Sequence, residues 1–388
     1  MYEMTTEASV ELSEELKLLQ DTLKRFVHKE VVPQAEQIDD EDRFPRDLMF
    51  GLGRLGLLGI TVPEKYGGSG AGLLAQAIVV EELARASAGL ASSYAAHSNL
   101  VADNLNRHAN HYQKEKYLPS LCSGDKIGCL AITEPGSGSD ALAMRTRAVR
   151  DGDHYVLNGT KIFITNGPVA DIIVTYAKTA PEKGSRGIST FIVEKEFEGF
   201  SVGRKIDKLG HKGSPFGELV FNDCRVPAQN MVGEENSMVH MLMSGLHRER
   251  IVWSSEAVGI AQGAYDIASK YAKEREQFNK PIGEFQMIQE KLVDMALDIH
   301  IGRVLVRRCA KMAEVQNHGD VGLEASYAKL FCGDMSERVT SKALHILGGY
   351  GYTKEFQVER FYRDAKAMPI GAGTSEIQRL IIARKLLR

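Results

Sequence analysis

From about residue 238 onward the chain holds a helical period for more than a hundred residues. Residues 284–317 run without glycine or proline apart from Gly302, and 321–346 are alike, interrupted internally at Gly333. Glycine and proline are the residues a helix interior tolerates least, so their scarcity over such lengths predicts long helices. Long helices joined by short loops must bury their apolar stripes against one another, which makes a bundle.

Upstream the period changes. Between about residues 128 and 235, Arg145, Arg147 and Val149 alternate with Met144, Thr146 and Ala148, the two-residue repeat of a strand. Asp151-Gly152 and Asn158-Gly159 are hairpin-turn dipeptides. The runs KIFIT (161–165), DIIVTYA (171–177), STFIVEK (189–195) and GELVFND (217–223) add further strands, with no helical segments between them. They predict a small antiparallel β domain. The N-terminal part returns to helices. Leu12, Leu16, Leu19, Leu23, Phe26 and Val27 mark an amphipathic helix over 12–32, closed by Pro33. The glycine-rich stretch 47–72 predicts turns and a loop, and helices follow over about 73–85 and 91–107. His97, on the second of these, reads as a packed, hydrogen-bonded histidine rather than a catalytic one.

At 388 residues the chain is long enough for two or three domains. A net charge of −3 argues against nucleic acid as the main partner. No apolar run reaches membrane-spanning length. Five scattered cysteines without a CxxC pair suggest neither a disulfide frame nor a zinc or other metal site. The acidic N-terminal stretch lacks an apolar core or an Arg-rich amphipathic segment. The expectation is a cytoplasmic bacterial protein, or a mitochondrial matrix protein in processed form.

Four stretches carry residue types that do chemistry. The first is CLAITEPGSGSD (129–140), a strand running into a turn whose glycines admit an anion or a flat ring close to the backbone. By spacing alone it reads first as an ordinary strand-end loop, and it is neither a Walker loop nor a dinucleotide fingerprint. The second is SGLHRERI (244–251). Alone, Glu249 between two arginines is a solvated ion-pair partner; desolvated, it is a base able to take a carbon-bound proton. The third is REQFNKPIGEFQ (275–286), either a helix surface with a turn or a clamp for a phosphate and a ring. The fourth pairs GGYG (348–351) with GAGTSE (371–376), a chain break and a capped helix start.

The 129–140 string closely resembles the flavin-binding signature of the acyl-CoA dehydrogenases, and the other stretches resemble that family in the same order out to Arg388. The resemblance implies an α+β, mostly α fold: an N-terminal helical domain (1–127), a middle antiparallel β domain (128–237) and a C-terminal four-helix bundle (238–388). It implies FAD between β domain and bundle, and a homotetramer. By position, Leu130, Ile132, Thr133, Gly138 and Ser139 would contact flavin, with Ser139 also near the thioester. Phe163, Ile164 and Thr165 match a Trp-Ile-Thr flavin contact with phenylalanine for tryptophan. Arg275, Phe278 and Gln286 would meet the FAD diphosphate and adenosine across a subunit boundary, and the HILGG stretch with His345, Gly348 and Gly349 matches another FAD-contacting stretch. Its histidine stands where the family usually has glutamine. Thr374, Ser375 and Glu376 would hold FAD at a helix start.

The base departs from the commonest family pattern, since Ala372 stands where many members carry glutamate. The isovaleryl-CoA dehydrogenase branch shares GAGTSE here and places its base at the position of Glu249. Ser185, Arg186, Arg250, Ala372 and Gly373 are the implied CoA-side contacts. His240 and His247 replace the branch's tyrosine and aspartate on the substrate side. The small Gly371-Ala372 pair, YAAHSNL (94–100) and the KLG…GS run (208–214) imply a short branched acyl-CoA, with space beside the flavin for its branch. The implied reaction is α,β-dehydrogenation to the 2-enoyl-CoA, with electrons passed to an electron-transferring flavoprotein. A cyclic or longer acyl group, a flavin oxidase or monooxygenase on the same fold, and a catalytically silent binding protein remain open at this point.

Overall fold

The computed structural model describes residues 12–237, 239–315 and 321–387. Helix α1 (Glu14–Phe26) is capped by Ser13. Pro33 does not end the helical path. It sits in the first positions of a 3-10 turn, Val32–Gln34, that leads into α2 (Ala35–Glu41), where its missing N–H costs nothing. The glycine-rich region is not all loop either: α3 spans Arg46–Arg54. Gly53 serves close packing, because a Cβ there would lie 2.2 Å from the Ser123 carbonyl oxygen.

α4 (Gly72–Ala84) is buried on every side from Leu73 onward. α5 (Ala88–His97), a π-turn (Ser98–Asp103), α6 (Asn104–His108) and α7 (His111–Ser123) follow. The sequence reading missed α7, although Asn110 and Gln113 form a reciprocal capping box.

The β layer has eight strands: β1 (Gly128–Ala131), β2 (Arg147–Asp151), β3 (His154–Thr165), β4 (Ile172–Lys178), β5 (Ile188–Glu194), β6 (Phe200–Lys205), β7 (Phe216–Pro227) and β8 (Met231–Val232). Their order is β6-β7-β3-β2-β4-β5-β8, with β1 also on β4. Pairing is antiparallel except where β1 and one residue of β2 meet β4 in parallel.

The C-terminal part is led by α8 (Val239–Glu274), α9 (Gln286–Val315) and α10 (Gly322–Leu347), with the shorter α11 (Val358–Ala365) and α12 (Ser375–Leu386). α8 is the axis of the molecule. Gly259 lets it approach α4, since a Cβ there would lie 2.2 Å from the Glu81 carbonyl oxygen. One apolar core runs from α1, α3, α4 and α5 into α8–α11, so the N-terminal helices and the bundle share an interior. All five cysteines are buried and free. Among the described residues no helix is long and apolar enough to cross a membrane.

Candidate active site

α8 carries Glu249 into a half-buried position. Only one of its two arginine neighbours is committed elsewhere. Arg248 forks onto Asp103 with bonds of 2.8 and 3.0 Å, and Arg250 is buried with its Nε lacking a partner among the described residues. Loss of water pushes the Glu249 carboxyl up to about 7, against the opposing pull of Arg250 and of Lys329 on α10. The same burial lowers the Lys329 ammonium to about 8. Burial raises the phenol of Tyr176 on β4, and the Glu249 charge also acts on it, in the same direction and with smaller effect. A carboxyl set near neutrality on a rigid helix suits removal of a carbon-bound proton.

The turn between α11 and α12 is bound to α8 and α10. The indole N–H of Trp253, one turn beyond Glu249, donates to the Met368 carbonyl at 3.0 Å, and Lys329 Nζ donates to that of Pro369 at 3.1 Å. A Cβ on Gly371 would lie 2.5 Å from Cζ2 of the same indole. Gly371 and the helix of Glu249 are therefore in direct contact, and the room that Gly371 leaves is taken by Trp253 rather than left open.

Ala372 and Gly373 follow with φ of +53° and +85°. Their carbonyls accept from Gln378 Nε2 at 3.3 and 2.9 Å. Among the described residues their N–H groups have no protein acceptor. Thr374 caps α12, its hydroxyl accepting from Ile377 N at 3.3 Å. Ser375 donates to Asp334 at 3.0 Å, and Glu376 is exposed.

The strand-end turn of 129–140 is held from below by a buried pair. Lys161, fully buried, donates to Glu134 Oε1 and to the Ile132 carbonyl, both at 2.9 Å. Glu134 also accepts from the backbone N–H groups of Arg145 and Thr146. Glu134 is thus a structural clamp. Above it, Leu130, Ile132 and Thr133 are half-buried, while Gly138 and Ser139 are exposed. A Cβ added at Gly136 or Gly138 would meet nothing within 4 Å, so the turn presents backbone to open space.

Beside it Phe163, at φ +61°, is 53% exposed and lies parallel to Phe216, with ring centres 5.7 Å apart. Thr165 is half-buried, whereas the Ile164 side chain points into the β core, leaving only its backbone for a ligand. Ser185 and Arg186 lie in the 3-10 segment Pro181–Gly187.

Of the remaining expected residues, Arg275, Phe278, Gly348 and Gly349 line a cleft of about 620 Å³, with the Arg275 guanidinium 5.8 Å from the Tyr350 ring centre. Phe278 is 88% exposed. Gln286 and His345 are exposed close by in sequence, and His345 lines an adjoining cavity of about 770 Å³ that shares Gly348. This cleft lies past the end of α8, roughly 40 Å along the helix from Glu249. One chain does not gather all the expected residues at one place. The His247 ring is half-buried; the His240 side chain lies outside the described residues.

YAAHSNL is mostly turned inward. Tyr94 donates to the Leu57 carbonyl at 2.9 Å. His97 is buried between the Leu121 carbonyl and the Gly128 N–H and is held neutral, pushed down to about 4 by burial. Only Leu100 keeps appreciable exposure. Trp253 and Lys329 were not read from the sequence as site residues, although the chain's one tryptophan four places after Glu249 was a visible signal.

The residues fit FAD: an exposed ring platform, a backbone-lined turn, a capped helix start and a cleft with an arginine. With that geometry in view, the chain belongs to the acyl-CoA dehydrogenase family and is an oxidoreductase. The family's N-terminal domain matches residues 13–125, its middle domain 129–224 and its C-terminal domain 239–387. Members of this family are FAD-dependent. Among its relatives is the mitochondrial isovaleryl-CoA dehydrogenase of Pongo abelii, 45% identical over 96% of this chain and 89% of that one. Butyryl-CoA dehydrogenase from Megasphaera elsdenii superposes with a TM-score of 0.94 at 39% identity, covering 97% of this chain and 99% of that one. A chain from the structure of the electron transferring flavoprotein of Acidaminococcus fermentans gives 0.95 at 39%, covering 98% and 100%.

Proposed function

We propose that this enzyme α,β-dehydrogenates a short branched acyl-CoA, with isovaleryl-CoA as the model substrate, and that Glu249 is the base. The observation that carries this is the Glu249 carboxyl, lifted to about 7 on α8, while Ala372 offers no acid–base group. Glu249 takes the α-proton of the thioester. FAD, when bound, supplies the acceptor for the hydride that leaves the β-carbon. The Ala372 N–H donates to the thioester carbonyl oxygen, where negative charge develops as the α-proton leaves, which acidifies the α-carbon; its left-handed backbone and an N–H without an acceptor among the described residues support that role.

On this reading Phe163, Thr165 and the backbone of Ile164, with Leu130, Ile132, Thr133, Gly138, Ser139, Thr374, Ser375 and Glu376, would hold the FAD. Ser139, Ser185, Arg186, His247, Arg250 and Gly373 would contact the CoA thioester, and His240 is assigned to the same side by its position in the sequence.

The distance between Glu249 and the Arg275 cleft supports a homo-oligomer, a tetramer by family analogy, in which Arg275, Phe278, Gln286, His345, Gly348 and Gly349 of one chain hold the FAD of another. The exposed stripe Val293, Leu297 and Ile301 on α9 gives such an assembly an apolar face to cover. The acceptor is an electron-transferring flavoprotein, and the setting is bacterial cytoplasm or mitochondrial matrix, as the bacterial and mitochondrial relatives suggest.

The test is the visible spectrum of the holoenzyme before and after isovaleryl-CoA without oxygen. Immediate bleaching of the flavin band is expected. A band that persists with isovaleryl-CoA but bleaches with a longer or cyclic thioester would overturn the acyl assignment. Peroxide formed in air at the rate of substrate loss would favour an oxidase.

A further inference from the structure

Trp253 and Glu249 leave α8 one turn apart on the same face, so the indole stands beside the Glu249 carboxyl. Three contacts hold that ring. Its N–H is bonded to the Met368 carbonyl at 3.0 Å. Its six-membered edge fills the place of a Gly371 side chain, where a Cβ would stand 2.5 Å from Cζ2 and 3.1 Å from Cη2. The imidazole of His211 lies 5.9 Å away, centre to centre, tilted by 36°. The indole remains only partly buried, so it still presents surface beyond these contacts.

Gly371 also leads directly into Ala372, the residue with the free left-handed N–H. A side chain at 371 would displace the indole, the turn or both. Glycine is therefore required here to seat the tryptophan.

We infer that the Trp253 indole is the wall that closes the acyl end of the site and sets the length of acyl group it accepts. This rests on the thioester reading above and adds a residue to it. A ring fixed on three sides does not swing away for a longer chain. An unbranched chain that outgrows the site must clash or leave methylenes unburied, at a discrimination of roughly 10-fold or more per methylene. The branch of a short substrate is housed elsewhere than in the Gly371 slot, which is full.

The test uses holoenzyme and the variants Trp253→Leu and Trp253→Phe. Anaerobic flavin bleaching is measured with isovaleryl-, butyryl-, hexanoyl- and octanoyl-CoA. Trp253→Leu is expected to raise the octanoyl-to-isovaleryl ratio of kcat/KM at least tenfold, mainly through KM for octanoyl-CoA. Trp253→Phe should shift the ratio less. A second readout needs no turnover. As the chain's one tryptophan, Trp253 should change its emission when Glu249→Gln holoenzyme is titrated with butyryl-CoA, but not with CoA alone.

An unchanged chain-length profile in a yellow, folded Trp253→Leu variant overturns the inference alone. If that variant does not fold, the emission titration decides, and equal responses to butyryl-CoA and CoA overturn it. Wild-type flavin that bleaches with none of the four thioesters overturns the short-acyl reading and this inference with it.

Discussion

Replacing Glu249 by glutamine separates the chemistry of this site from its stability. In the fold the carboxyl sits near 7 because burial raises it more than Arg250 and Lys329 lower it. At pH 6 about a tenth of it is ionised, at pH 7 about half, and at pH 8 about nine-tenths. If Glu249 is the base, the rate of anaerobic flavin bleaching at limiting substrate rises about tenfold per unit below pH 7 and levels off above pH 8. Glu249→Gln keeps the shape and removes the base, so the rate falls by roughly 10²–10⁴-fold and its pH dependence disappears.

Stability moves the other way. The folded pKa lies above that of the unfolded chain, so the stabilisation from the neutral form is complete below about pH 4.5 and is lost as pH rises through about 7. With the site half-open to solvent, the cost at pH 8 is on the order of 1–3 kcal/mol. Glu249→Gln escapes that cost. Its melting temperature should exceed wild type at pH 8 and converge with it near pH 5. A flat wild-type profile between pH 5.5 and 8, or a glutamine variant within tenfold of wild type, would refute the assignment of Glu249.

Phe163→Ala removes the exposed ring that lies over Phe216; about 1 kcal/mol of stacking should weaken FAD retention severalfold, read as the ratio of flavin to protein absorbance after gel filtration. Lys161→Met leaves Glu134 buried without its cation, which should cost about 3–5 kcal/mol in urea unfolding, while Lys161→Met with Glu134→Gln recovers much of it. Thr374→Ala deletes the α12 cap and should cost about 1 kcal/mol, with weaker FAD retention as its second sign. Gly371→Ala, which must displace the Trp253 ring, should lower kcat with isovaleryl-CoA at least tenfold; an unaffected kcat would show that this contact does not position the turn.

What the sequence shows of this molecule is what depends on near neighbours. The change from period two to period 3.6 gave the β layer and the long helices, because burial on one face imposes that spacing directly. α3 was hidden because its glycines read as breakers, whereas Gly53 is there for the Ser123 carbonyl, a contact some seventy residues away. Pro33 misled for the opposite reason, being read as a stop when it only begins a new turn. At the site, the capped start of α12 was legible from the adjacent hydroxyls of Thr374 and Ser375, of which Thr374 is the cap. The environment that makes Glu249 more than a surface carboxylate was not, since it comes from burial that exists only in the folded chain and that raises the carboxyl more than Arg250 and Lys329 lower it. The small Gly371-Ala372 pair was read as room for a substrate, and packing gives that room to Trp253.

Behind that tryptophan runs a second set of titratable groups, and it bears on how α8 is held beside the elements around Glu249. Glu256 lies two turns beyond Glu249 on α8. It is hydrogen-bonded to Ser92 of α5 at 2.6 Å, and Ser92 in turn to His211 Nδ1 at 2.8 Å. His211 Nε2 reaches the Asp364 carbonyl of α11 at 2.9 Å. The seam thus ties an N-terminal helix, the loop before β7 and two C-terminal helices. Burial pushes Glu256 up to about 8 and Asp364 up to about 6, and burial with Lys208 pushes His211 down to about 3. At neutral pH Glu256 and His211 are therefore uncharged. Glu256 Oε2 has no partner among the described residues, which a protonated carboxyl tolerates far better than an ionised one. An apolar seam would hold these elements as firmly, but hydrogen bonds also fix their register, and so the seating of the Trp253 ring against Gly371. Asp364 keeps its charge at neutral pH, but the charges that weigh most on the Glu249 carboxyl are those of Arg250 and Lys329.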